Sequence, residues 1–228
     1  MSYILGKINL ADYTTRRSLL QVMSQELIKP QEAGVRNHEV EVRSLLTSEQ
    51  YEAIKGRLLD NEVEFLGEEI ISDIYYCPIA TKSFQEIEMD EVGSYSLRLR
   101  NRFKEGSSTA DLNMKVITEY GDHNAWREHE VTVSSFDEAQ EMLTVLGFKP
   151  FFQLNKHRTS FTLNDMTVAL EDIQDYGYVL EVEIMAEKKR AEEAKNTIKD
   201  FMRESGITDN QIVPKSVTNL LMRERASF

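Results

Sequence analysis

His38-Glu39-Val40-Glu41-Val42-Arg43 is the stretch on which the fold turns, because charges alternate strictly with valines from Glu39 onward. Successive side chains of a β-strand point to opposite faces, so Glu39, Glu41 and Arg43 share one face and Val40 and Val42 the other. Two architectures accommodate this. In an edge strand of an open sheet the valines enter the core and the charges meet water. In a closed barrel the valines face outward under covering helices and the charges line a hydrophilic interior. Recurrence of the pattern, and the signs it carries, separates the two.

The pattern recurs. Tyr95 to Phe103 repeats it with the opposite sign, placing Arg98, Arg100 and Arg102 on one face and Leu97, Leu99 and Phe103 on the other. Asp111 to Thr118 carries Lys115 opposite Met114 and Val116, and Trp126 to Ser134 sets Glu128 and Glu130 against Arg127, His129, Val131 and Val133. Phe148 to Phe161 holds Lys156 and Arg158, Met166 to Ile173 holds Glu171 and Asp172, and Tyr178 to Met185 ends with a second Glu-Val-Glu step at Glu181 and Glu183. With 38–46 and the β-rich stretch Val63 to Tyr76, this predicts about eight strands, antiparallel by their short connections. Gly106-Ser107-Ser108, Gly121-Asp122, Asn164-Asp165 and Asp175-Tyr176-Gly177 supply turns. Pro78 to Gly93 is an acidic, irregular excursion.

Helices flank the strands. Thr47 with Gln50 forms a capping box ahead of a face made of Tyr51, Ile54, Leu58 and Leu59. Ser135 or Asp137 caps a helix with the stripe Ala139, Met142, Leu143 and Leu146, stopped by Gly147. Ala186 to Ser205 reads as an amphipathic helix with Ala194, Ile198, Phe201 and Met202 inward, and Ser216 to Arg223 as a shorter one. Residues 1–37 form a separate N-terminal helical extension, in which Leu19, Leu20, Met23 and Leu27 have helical spacing before Pro30. That helix can lie on the 38–228 domain or dock onto a second copy, which would make a homodimer.

Composition narrows the function. The 228 residues carry a net charge of −12, which argues against a nucleic-acid or acidic-membrane binder and confines any anion site to a local basic cluster. No apolar run approaches the ~18–20 residues of a membrane span. The start lacks a signal-peptide pattern, and the single Cys77 cannot form an internal disulfide, so a reducing cytoplasm is expected. No glycine-rich phosphate loop, paired-Cys motif or His-Glu-x-x-His helix is present. His38, His129 and His157 are not spaced as a metal cluster.

Solvent-facing strands usually intersperse signs, since like charges at neighbouring positions repel. Here same-sign pairs recur, with acids at both ends of the series and cations in the middle. Hard divalent cations need carboxylate oxygens, and polyphosphates need Arg forks and Lys point charges. Acids on one wall and bases on another would hold a metal–polyphosphate sandwich.

Those residues, in that order, resemble the CYTH family of triphosphate tunnel metalloenzymes, which includes class IV adenylyl cyclases and thiamine triphosphatases. The resemblance is carried by Glu39-x-Glu41-x-Arg43, Leu97-Arg98-Leu99-Arg100, Lys115, Arg127-Glu128-His129-Glu130, Leu146-Gly147-Phe148, Lys156-x-Arg158, and Val168 to Glu171 through Glu181-Val182-Glu183. It implies a mainly β, α+β fold: an eight-stranded closed antiparallel barrel with a charged interior and flanking helices. It further implies Mg²⁺ or Mn²⁺ held by Glu39, Glu41, Glu181, Glu183 and Glu171. The triphosphate is expected on Arg43, Arg98, Arg100, Lys115, Lys156 and Arg158. Catalytic roles fall to Glu171, Lys115 and Arg158, while Glu128 and Glu130 hold the bases in place or help bind metal.

Two positions depart from the family pattern: Arg43 stands where Lys is usual, and Glu171 where Asp is common. The core motifs serve two reactions, cyclisation of ATP to cyclic AMP with release of pyrophosphate, and hydrolysis of an inorganic, thiamine or nucleoside triphosphate. Asp73-x-Tyr75-Tyr76, Leu146-Gly147-Phe148 and the Glu171-to-Glu183 block lean toward the cyclase branch. Trp126 and the tyrosines read first as packing residues, although Tyr75 and Tyr76 near a tunnel mouth could contact a nucleobase. A non-catalytic polyphosphate-binding module is the third reading, and the intact acid pairs argue against it.

Overall fold

Strict alternation becomes a continuous hydrogen-bonded ladder in the computed structural model, which describes residues 37–61, 63–88, 91–117, 126–213 and 216–228. Its strands are β1 (Asn37–Leu46), β2 (Glu64–Pro78), β3 (Tyr95–Lys104), β4 (Ser107–Ile117), β5 (Trp126–Val133), β6 (Phe148–Leu163), β7 (Met166–Ile173), β8 (Gly177–Glu187) and β9 (Ile212–Val213). They form one sheet in the order β5-β4-β3-β2-β6-β7-β8-β1-β9, with antiparallel pairing throughout. The sequence predicts eight strands in a closed barrel. The sheet has nine, and among the described residues its ladder ends at β5 and β9 without joining them. The extra strand is only two residues long, too short for alternation to reveal.

Helices α1 (Ser48–Asp60), α2 (Phe136–Val145), α3 (Ala191–Glu204) and α4 (Val217–Arg225) pack on this sheet. One core joins Val42, Val168, Leu170, Leu180, Val182 and Ile184 to Tyr51, Ile54 and Leu58 of α1 and to Ala194, Ile198, Phe201 and Met202 of α3. A second places Tyr76, Leu97 and Leu99 beneath Ala139 and Leu143 of α2. The valines of the opening stretch therefore face helices, and the charges take the opposite face. On that charged face a third core closes one end, where Tyr75, Phe152, Leu154, Ile173 and Val179 meet Val217, Leu221 and Met222 of α4. Helix α4 is held there by ring contact of Arg223 with Phe84, 5.7 Å from the centroid, and by an ion pair of Arg223 with Glu88.

Local signals act as expected at most boundaries. Thr47 and Gln50 complete their reciprocal capping box, and Ser135 Oγ accepts from the Glu138 amide at 3.2 Å. Gly147 follows α2 with φ +88, and Asn164 makes its hairpin with φ +56. Leu59, Met142 and Leu146 are instead exposed, because α1 buries the Tyr51–Ile54–Leu58 line and α2 touches the sheet through Ala139 and Leu143. The third helix starts at Ala191 rather than Ala186, since β8 pairs with β1 as far as Glu187. The helix predicted within 14–28 and the Gly121-Asp122 turn lie outside the described residues. Among the described residues no helix is long and apolar enough to cross a membrane.

Candidate functional site

Register brings the end strands' charges together. Across β1 and β8, Glu41 stands opposite Glu183 and Arg43 opposite Glu181. Arg43 Nε donates to Glu181 Oε2 at 2.7 Å, and its Nη1 pairs with Glu41. Arg158 of β6 reaches the same cluster: Nε donates to Glu171 Oε1 at 2.7 Å and Nη2 to Glu181 Oε1 at 3.1 Å. Lys156 Nζ donates to Glu171 Oε1 at 2.5 Å. Burial alone would raise the Glu171 carboxyl, but the charges of Lys156 and Arg158 outweigh it and hold it below the usual range. Glu181 is held low in the same way by Arg43 and Arg158. Three of the five acids read as metal-side groups, Glu41, Glu171 and Glu181, thus contact bases read as phosphate-side groups, and the last two are held low by them.

The remaining acids behave differently. Burial pushes Glu41 up to about 8, with Glu181 and Glu39 adding to the rise and Arg43 opposing it. Glu183 is also raised by burial, then by Glu39 and Glu181. No cation among the described residues forms an ion pair with Glu39 or Glu183. Three neighbouring carboxyls, two of them directly opposed across strands, form an arrangement that an added cation would relieve.

Further round the sheet the cations dominate. Arg100 Nε and Nη2 grip Asp73 Oδ1 and Oδ2 at 2.6 and 2.7 Å, and Arg98 Nη1 lies 3.8 Å from Asp73 Oδ2. The Arg98 Nε is buried and has no hydrogen-bond partner among the described residues. Arg102 lies between Asp111 (3.3 Å) and Glu69 (3.5 Å). Asn113 donates to Glu128 and, at 3.3 Å, to Glu130, while Lys115 Nζ lies 3.4 Å from Glu128. Burial would raise Glu128, yet Lys115 and Asn113 hold it down.

All thirteen sequence-selected residues thus have register positions on one face of the sheet. Sequence reading missed Asp73, Asp111, Asn113 and Glu69 as members of this network. For Asp73 a signal existed, the lone charge in the Ile- and Tyr-rich stretch Ile70 to Tyr76. Tyr75 and Tyr76 do not line an open mouth. Tyr75 is buried beneath α4 beside Phe152, and Tyr76 lies on the other face beneath α2, its hydroxyl accepting from Gln140 at 3.1 Å. Alternation separates the two rings. A groove between Gln140, Pro150, Gln153, Asn155 and Leu221 lies apart from the charged cluster.

Comparison with known proteins assigns this arrangement. A family model described as the CYTH domain matches residues 37–217. The chain belongs to the CYTH family. Its sheet superposes on the PH1819 protein from Pyrococcus horikoshii OT3 with a TM-score of 0.67 at 25% identity, covering 82% of this chain and 100% of that one. A candidate adenylate cyclase from Vibrio parahaemolyticus gives 0.62 at 18% identity, over 82% and 98%. A candidate adenylyl cyclase from Hippeastrum, reported with a dominant triphosphatase activity, gives 0.58 at 14%, over 82% and 95%. No curated protein matches the chain by sequence.

The CYTH donor set fits a divalent metal of the hard type. Among the described residues no three His, Cys, Asp or Glu side chains form a ready cage. Mg²⁺ and its kin typically use one or two carboxylates completed by phosphate oxygens and water. Glu39, Glu41 and Glu183, crowded and without cationic partners of their own apart from Arg43 at Glu41, suit that partial coordination.

Proposed function

We propose that this CYTH chain is a divalent-metal-dependent triphosphatase whose charged sheet face closes into a tunnel around its substrate. The observation that carries the reading is the joint placement of six bases and the crowded trio Glu39, Glu41 and Glu183 on one face. Closure is supported by burial: Arg100, Lys156 and Glu171 are 5%, 8% and 4% exposed on the face opposite α1, α2 and α3. Polar side chains reach that burial only when enclosed or paired.

Arg43, Arg98, Arg100, Lys115, Lys156 and Arg158 would take phosphate oxygens, exchanging acid partners for substrate. Arg forks suit this because they bind phosphate bidentately, and Lys115 and Lys156 add point charge. Glu39, Glu41 and Glu183 would hold Mg²⁺ or Mn²⁺, with Glu181 and Glu171 joining once their bases turn to phosphate. When bound, such an ion supplies charge neutralisation on the phosphates and acidifies a water. Water attacks the terminal phosphorus, and orthophosphate and diphosphate leave. Arg158 and Lys115 offset the charge that develops on the transferring group and the leaving oxygen. Glu128 and Asn113 keep Lys115 in place.

Hydrolysis is favoured over cyclisation because neither ring that could have met a base is open to one: Tyr75 is packed beneath α4 at the closed end of the charged face, and Tyr76 is buried on the opposite face. The cyclase reading, ATP to cyclic AMP and pyrophosphate, keeps support from the Glu171-to-Glu183 block. Incubation with Mg²⁺ or Mn²⁺ and inorganic triphosphate or ATP, followed by phosphorus NMR, separates them. Orthophosphate release is expected; cyclic AMP with pyrophosphate would replace the triphosphatase reading. Glu39→Gln with Glu41→Gln should lower turnover by more than the ~10–100-fold that loss of a mere outer-shell partner of a metal costs. Unchanged turnover would sink the site.

A further inference from the structure

Asp73 is an acid, 1% exposed, on a face whose task is to attract an anion. A buried carboxylate beside a phosphate site repels its ligand and is costly to desolvate unless it does something for the cations around it. Both of its oxygens are gripped side-on by Arg100, at 2.6 and 2.7 Å, and Arg98 Nη1 stands 3.8 Å away. Burial pushes its carboxyl up, and the hydrogen bonds and charge of Arg100, with the charges of Arg98 and Lys156, bring it below the ordinary range. Nε and Nη2 of Arg100 are consumed by Asp73; among the described residues its Nη1 makes no hydrogen bond, and the buried Nε of Arg98 has no acceptor. Arg98 and Arg100 are two residues apart on one strand face, about 7 Å along the chain, where like charges repel.

We infer that Asp73 is a positioning residue. It pins one edge of the Arg100 guanidinium, offsets the repulsion between the two arginines, and leaves their uncommitted N–H groups for phosphate oxygens. This rests on the triphosphate reading of the same face. The opposing possibility is that Asp73 only competes with the ligand for the two arginines. The two differ in sign: removing a competitor tightens binding, and removing a positioning group loosens it.

The test is calorimetric titration of the full chain with inorganic triphosphate in chelator, so that it reads binding without turnover. Asp73→Asn is expected to weaken affinity about tenfold or more, the loss associated with a charge-assisted hydrogen bond. Stoichiometry should stay unchanged, because misfolding removes sites without altering the affinity of those that remain. Arg100→Lys keeps both charges but lacks the fork. It should show a similar loss, and the double variant no further loss, as for a unit. Equal or tighter binding by Asp73→Asn at full stoichiometry would overturn the inference. If that variant loses sites, undiminished affinity in Arg100→Lys overturns it. Failure of the parent chain to bind triphosphate would bring down the triphosphate reading and the inference with it, whereas normal parent binding with unaffected variants removes the inference alone.

Discussion

Glu41 illustrates how far a single residue's chemistry depends on its neighbours. Its folded pKa, about 8, lies well above the ~4.3 of an unfolded glutamate, chiefly through burial. A raised acid binds its proton more tightly in the folded state. Its contribution to stability is therefore fully present below about pH 4 and is lost as pH rises through about 8. In chelator, thermal melts of the parent should fall across that window, and Glu41→Gln should flatten the decline and melt higher than the parent at pH 9. Parallel curves for the two proteins would remove the burial argument. At this scale the sequence revealed which residues carry charge but not which are satisfied: Glu39 and Glu41 have the same side chain and adjacent same-face positions, and only the register across β8 shows that Glu41 opposes Glu183 and neighbours Arg43.

Among the elements, α4 does most to shape the candidate site. Its Leu221, 1% exposed, enters the apolar cluster that closes one end of the charged face. Leu221→Ala removes buried methylenes and leaves a cavity, so a loss of about 2–5 kcal/mol is expected in urea denaturation. A loss below ~0.5 kcal/mol would show that α4 is not packed there. Capping boxes, turn residues and the 3.6-residue periodicity of α3 were all readable locally, because each depends on side chains within a few positions. The α4 contacts were not, since they join Val217 and Leu221 to Tyr75, Phe152 and Val179, residues far away in the chain. Burial of Tyr75 agrees with its reading as a packing residue, but its partners Phe152 and Val217 come from distant parts of the chain.

The molecule as a whole is anionic, and one face of its sheet gathers charges of both signs. The chain's net charge of −12 extends to this face, where the six phosphate-side bases are interleaved with acids, so an anion would be drawn by local bases rather than by a basic surface. Closure of the sheet into the proposed tunnel makes a claim about backbone amides. If β5 is covered by the strand at the other end of the order, alternate amides along Trp126–Val133 should exchange slowly, in step with those of β4. Hydrogen exchange read by mass spectrometry or NMR checks it. Fast exchange along the free edge of β5 would leave an open sheet.

Sequence alone determined the alternation, the order of acids and bases, the caps and turns, and the family resemblance that the CYTH match bears out. These are properties of neighbouring residues, or of residues spaced along one strand. Tertiary structure decided which face the helices cover, by laying α1, α2 and α3 on the valine and leucine side. It also decided that Glu171 and Glu181 are clasped by Arg43, Lys156 and Arg158, and that Asp73 stands between Arg98 and Arg100. Strand register across the sheet fixes those pairings, and register arises from the simultaneous fit of every strand with its neighbours. Within His38 to Arg43 the pattern specifies two faces; only the helices packed against Val42 determine that Glu41 turns away from them.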